Sequence, residues 1–162
     1  VFQVRGHIDE HVSIASFVRI NQGEFMIRID VKYEGSLKCS LSHGPSGSEI
    51  VTDAPKDNMG EGSSFSPTDL CAASLASCMV TTMGIAAKRH GFELGDCTAV
   101  VEKHMTAVPT RRISALPVQI TLLGATRYTE EQVSILHNAA ATCPVKESLS
   151  PSISISITWA SE

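Results

Sequence analysis

The sequence has no basic run longer than the pair Arg111 and Arg112, and its 17 acidic residues outnumber its 13 basic ones. The footprint of a nucleic-acid binder is missing, so no nucleic-acid partner is expected. The five cysteines, Cys39, Cys71, Cys78, Cys97 and Cys143, include no CxxC pair, and an odd count in a 162-residue chain does not suggest a disulfide scaffold. Reduced thiols in a cytoplasmic protein are expected instead. The first 25 residues carry Arg5, Asp9, Glu10, His11 and Arg19 without the apolar run of roughly 7–15 residues that a secretory signal needs. No export signal is expected. His43, His90, His104 and His137 share no spacing with carboxylates or cysteines that defines a metal site, so no metal is expected. Repeats and low-complexity tracts are also lacking.

The balance of 43% hydrophobic and 19% charged residues is that of an ordinary globular chain, long enough to bury a core as one folded unit. Residues 70–87, "LCAASLASCMVTTMGIAA", carry no charge over 18 positions, about the minimum for a membrane span. Ten of these eighteen are Ala, Ser, Thr or Gly, which inserts weakly into lipid but suits a helix buried on all sides at the centre of a protein. No membrane partner is expected.

Residues 1–25 show no clear period and read as an N-terminal extension of uncertain structure; residues 26–162 read as the folded domain. In "MIRIDVKY" the alternation places Ile27, Ile29, Val31 and Tyr33 on one face of a half-buried strand. "SLKCSL" and "EIVTDA" read as two more strands, with Leu37, Cys39 and Leu41 facing the core. After the loop "PKDNMGEGSSF", "SPTD" supplies a helix start: Ser66 as cap, Pro67 at the first position and Asp69 to close a capping box. "KRHG" ends that helix, with basic residues at the negative end of its dipole and Gly91 as a left-handed cap. "CTAVVEKHM" and "ISALPVQITLL" read as strands, Pro117 marking an edge or a bulge. "TEEQVSILHNAAATC" is a helix opened by a Thr129 to Gln132 capping box, and "SISISITW" is a final strand. Three strands, a helix, two strands, a helix and a strand predict an α+β fold of antiparallel strands covered by two main helices.

Free cysteine packs as a small hydrophobe, and that accounts for Cys78 without any chemistry. Cys39 and Cys97 fall on inward strand positions. Cys71 lies seven residues before Cys78, about 10.5 Å along a helix, too far for a disulfide. Cys143, in "CPVKESL", is placed to cap a short helix with Pro144 at its first position, where backbone N–H groups and the dipole would lower a thiol's pKa.

The stretch "SPTDLCAASLASCMVTTMGIAAKRHG", followed 65 residues after Cys78 by Cys143 in "CPVKESL", resembles the OsmC/Ohr family of thiol peroxidases, particularly its OsmC-like branch. "HGPSGSEIVTDAPKDNMGEG" strengthens the likeness. The resemblance implies an intertwined homodimer that reduces organic hydroperoxides to alcohols with no cofactor. By the same resemblance Cys78 is the peroxidatic thiolate and Cys143 the resolving thiol, and an external dithiol restores the pair. Members of the family activate the first thiol with an Arg and a carboxylate. Asp69 stands here where OsmC-like members have Glu, and Lys38 or Arg112 is the candidate cation. Met79 and Met83 are candidates for an apolar pocket that takes the peroxide's organic tail. The alternative from another class is a noncatalytic OsmC-like dimer that binds a small hydrophobic ligand.

Overall fold

The computed structural model describes residues 26–124 and 127–161; the expected extension at residues 1–25 lies outside them. Length alone predicts one folded unit, yet the chain divides into two compact units, one ending at Ser64 and the next beginning at Phe65.

The first unit is a meander of β1 (Ile29–Gly35), β2 (Lys38–His43) and β3 (Glu49–Asp53), paired antiparallel in that order. The register sets Val31 beside Leu41 and Leu41 beside Ile50, so the apolar positions line one face, as the alternation requires. The opposite face of β1 carries the ion pairs Arg28–Asp30 and Lys32–Glu34. The apolar face does not find a core within this unit: Ile29, Val31 and Tyr33 are 59%, 62% and 62% exposed. A folded loop follows β3. Ser63 donates to the buried Asp53 carboxylate through its N–H and its hydroxyl, both at 2.8 Å. Those bonds hold the Asp53 carboxyl below the usual range although burial opposes ionisation. Gly60 is required in this loop, because a Cβ there would run into the carbonyl oxygen of Ala54.

The second unit opens with α1 (Pro67–Arg89), whose start carries the complete capping box: Asp69 N–H donates to Ser66 Oγ at 3.2 Å and Ser66 N–H to Asp69 Oδ2 at 2.7 Å. Then come β4 (Cys97–Val101), β5 (His104–Thr106), β6 (Arg112–Leu122), α2 (Glu130–Ala141), α3 (Pro144–Ser148) and β7 (Ser154–Ser161). The second capping box, Thr129 with Gln132, is also present.

The core is built on β6. Leu116, Val118, Ile120 and Leu122 are buried on one face, flanked by Val101, Ala99 and Cys97 of β4 and by Ile155, Ile157 and Trp159 of β7. α1 covers them with the stripe Leu75, Ala76, Met79, Met83 and Ala87. Leu136 and Ala140 of α2 complete the cluster.

Four expectations need correction. The strand β7 runs parallel to β6, joined to it by the crossover through α2 and α3, so this sheet is mixed. The segment "CTAVVEKHM" is two strands, broken at Glu102 and Lys103. Pro117 sits in the central strand, paired with β7 on one side, and its carbonyl accepts from Glu102 N–H at 3.1 Å on the other. A strand residue's N and O point to the same edge, so the donor Pro117 lacks falls at the ladder break. Nor is α1 enclosed on every side: Ser74, Ser77, Thr81 and Ile85 form an exposed, uncharged face.

Candidate active site

Cys78 lies near the middle of α1 and is half-buried, whereas Cys143 is completely buried in the cap position of α3. α1 and α3 pack together, and the thiols are neighbours: the Cys78 side chain is among the groups that act on Cys143. Residues far apart in the chain thus meet through the packing of two helices. Both sulfurs are free thiols, as are Cys39, Cys71 and Cys97.

The capping geometry at Cys143 is as the sequence indicates, with Lys146 N–H donating to its Sγ at 3.4 Å. Its electrostatic consequence is the reverse of the expectation. Burial pushes the Cys143 thiol upward, the Lys146 N–H opposes that, and the nearby Cys78 sulfur reinforces it. The loss of solvent outweighs what a five-residue helix can offer.

The residues expected to assist Cys78 are engaged elsewhere. Asp69 is nine residues before Cys78, about 13.5 Å along the axis and half a turn around it, so the two side chains leave opposite faces of α1. Asp69 pairs instead with Lys103 at 2.5 Å. Lys103 also donates to Thr68 Oγ1 at 2.9 Å and Ser66 Oγ at 3.3 Å. Burial works against the Asp69 carboxylate, but Lys103 and Ser66 together hold its pKa below the ordinary value. In the first unit Lys38 is paired with Glu61 at 2.5 Å. Arg112 donates to the carbonyls of Ile113 at 3.1 Å and Ser152 at 3.4 Å. Met79 and Met83 are 0% exposed, sealed in the core rather than lining an open pocket. Among the described residues no cluster of His, Cys, Asp and Glu is arranged to hold a metal ion.

Two residues escaped the reading of the sequence. Lys103 reaches the start of α1 from the inward side of the strand alternation that Cys97, Ala99 and Val101 set, so the period of two could have found it. Thr82 could have been found by spacing, since four residues after Cys78 is one helical turn. Its Oγ1 lies 4.0 Å from Cys78 Sγ and its hydroxyl donates to the Cys78 carbonyl at 2.7 Å.

Comparison with known proteins gives this arrangement a family. The family model described as OsmC-like protein matches residues 60–158. A crystal structure from Psychrobacter arcticus, of a protein named for osmotic stress induction and a detoxification response, is 42% identical. It superposes with a TM-score of 0.74 over 86% of this chain and 98% of that one. An organic hydroperoxide resistance protein from Legionella pneumophila shares the fold at 15% identity, with a TM-score of 0.68 over 86% of this chain and 99% of its own. Another from Elizabethkingia anophelis, with thiocyanate bound, does so at 15% identity and a TM-score of 0.69, covering 88% and 100% of the two chains. No curated protein matches the chain. With more than half of its length matched by the family model, and a pair of thiols held together by α1 and α3, this chain belongs to the OsmC-like protein family.

Proposed function

We propose that the chain is a thiol-dependent reductase of organic hydroperoxides, with Cys78 as the attacking sulfur and Cys143 as the resolving one. One observation carries the proposal: two free thiols, 65 residues apart in the sequence, are neighbours, one partly open to solvent and the other sealed. The Cys78 thiolate attacks the distal peroxide oxygen. An S–O bond forms as the O–O bond breaks, and the alkoxide leaves with a proton as the alcohol. The Cys143 thiol then condenses with the sulfenic acid, releasing water and forming a disulfide, which an external dithiol reduces. The exposures fit this order of events, since a peroxide in solution reaches Cys78 before it can reach Cys143. Free thiols fit a reducing compartment such as the cytoplasm.

We also propose that the working form is a homodimer. The apolar face of β1, β2 and β3 finds no core within its own unit, the outer face of α1 is exposed and uncharged, and burying apolar surface drives association. The alternative, a noncatalytic dimer binding a small hydrophobic ligand, gains support from Asp69, Lys38 and Arg112 being bonded elsewhere, and Cys78→Ser leaving such binding intact would favour it over turnover.

The test is to treat reduced protein with cumene hydroperoxide, follow its consumption, and map disulfides by peptide mass. A Cys78–Cys143 link formed in step with the loss of peroxide supports the proposal. Unchanged peroxide and free thiols reject it.

A further inference from the structure

Cys143 stands at the joint between α2 and α3, its own backbone extended, so whatever holds the joint decides where its sulfur lies. α3 is followed by a turn, closed by the Ile153 N–H on the Ser150 carbonyl at 3.0 Å, and then by β7. The elements on either side of this stretch meet through two rings. His137 of α2 lies stacked on Trp159 of β7, with centroids 3.8 Å apart and planes 23° from parallel. We infer that this stack is a clasp that positions Cys143 for the resolving step, closing residues 137–159 into a loop with the thiol inside it. His137 and Trp159 are positioning residues, and the inference rests on the reading of Cys143 as the resolving thiol.

The path from the stack to the sulfur is short and tied at each step. Thr142 ends α2 with two bonds to the Asn138 carbonyl, from its N–H at 3.1 Å and from its hydroxyl at 2.8 Å. The turn that begins beside His137 therefore carries its position to the residue before Cys143. On the far side, the Cys143 carbonyl accepts from Glu147 N–H at 3.1 Å and its sulfur from Lys146 N–H at 3.4 Å, which fixes the thiol to α3. β7 is paired with β6 along Ser154–Ser161, so Trp159 is held by the sheet rather than by the loop it closes. α2 packs chiefly on α1, and the stack adds a hold on β7.

Burial holds the His137 imidazole below its ordinary range, so at neutral pH two uncharged faces meet. Such a pair contributes beyond the area it buries, and a loop closed by a contact explores fewer arrangements. The resolving step is the one that needs this restriction. To form a disulfide, Cys143 Sγ must come within about 2.05 Å of Cys78 Sγ at a narrow range of torsions. As that bond forms, the S–O bond of the Cys78 sulfenic acid breaks, and the Cys143 proton leaves with the hydroxyl as water. Neither ring gains or loses a proton. The earlier attack of Cys78 on the peroxide does not involve Cys143, so the clasp bears on the second step and not on the first.

The experiment compares full-length wild type with His137→Ala, His137→Gln and His137→Phe in two arms. In the first, without peroxide, alkylation by iodoacetamide is followed peptide by peptide. Loss of the stack is expected to speed alkylation of the sealed Cys143 about fivefold in Ala and Gln, while Cys71 and Cys97 keep their wild-type rates. In the second, excess cumene hydroperoxide is added with dithiothreitol. Ala and Gln are expected to consume the first equivalent at the wild-type rate but to accumulate about fivefold more Cys78 sulfinic acid, because a second peroxide competes with a slower resolution. His137→Phe keeps a flat ring and is expected to restore both readings to within about twofold. Should Ala not fold, Gln carries the comparison. Wild-type alkylation of Cys143 in Ala and Gln overturns the inference. So does acceleration shared equally by all three thiols, which marks general loosening, an unchanged sulfinic yield, or failure of Phe to restore. A wild type that leaves cumene hydroperoxide unconsumed removes the reductase reading, and the alkylation rates still decide whether the stack holds Cys143.

Discussion

The two compact units treat their apolar residues in opposite ways. In the second, Leu75, Met79, Leu116, Ile120 and Leu136 are sealed between helices and sheet, and the unit supplies its own core. In the first, the alternation is as regular, yet Ile29, Val31, Tyr33 and Ile50 remain exposed. Alternation therefore says that a strand has an apolar face, and says nothing of whether its own chain covers that face. The thiol pair lies wholly in the self-sufficient unit. The other unit is the part whose stability should depend on association.

The largest expected effect lies in the sealed unit. Leu75→Ala should cost about 3 kcal/mol in urea-induced unfolding, through lost transfer energy and a cavity the packed helix cannot close. In dilute protein Val31→Ala should cost less than about 0.5 kcal/mol, because its side chain already faces water. Comparable losses at both positions would erase the distinction between the units. A charge sharpens it. Val31→Lys should shift sedimentation from dimer towards monomer while leaving the near-ultraviolet circular dichroism of Trp159 intact. A dimer indifferent to this change would mean that the contact lies elsewhere, on the outer face of α1 for instance.

The smallest effect concerns the Asp69–Lys103 pair. The folded pKa of Asp69 is depressed, so its contribution is fully present above the unfolded carboxylate's value of about 4 and is lost as pH falls through the folded one. Asp69→Asn should thus be less stable than wild type at neutral pH and approach it below about pH 4. The difference should be modest, since the carboxylate is partly solvated. A gap that persists unchanged into acid would assign the loss to the capping box alone.

Local signals in the sequence were dependable. Ser66, Pro67 and Asp69 mark the start of α1 because a capping box is closed within four residues. The cap at Cys143 is equally local. Distant partnership was not legible. The parallel pairing of β7 with β6 depends on a crossover, and the bond between Lys103 and Asp69 depends on how β4 packs against α1. The burial of Met79 and Met83 follows from what packs above them. Within one chain the nine-residue separation of Asp69 from Cys78 places them half a turn apart, and at Cys143 the cap is outweighed by the burial that accompanies it.

Pro117 has a reach beyond its own strand. By withholding one N–H it leaves the ladder one bond short at the place where β6 passes from β4 to β5, and that join falls beside Lys103, which keeps to the inward face and fastens the first turn of α1. The anchor of the helix bearing Cys78 thus comes from a seam between two short strands.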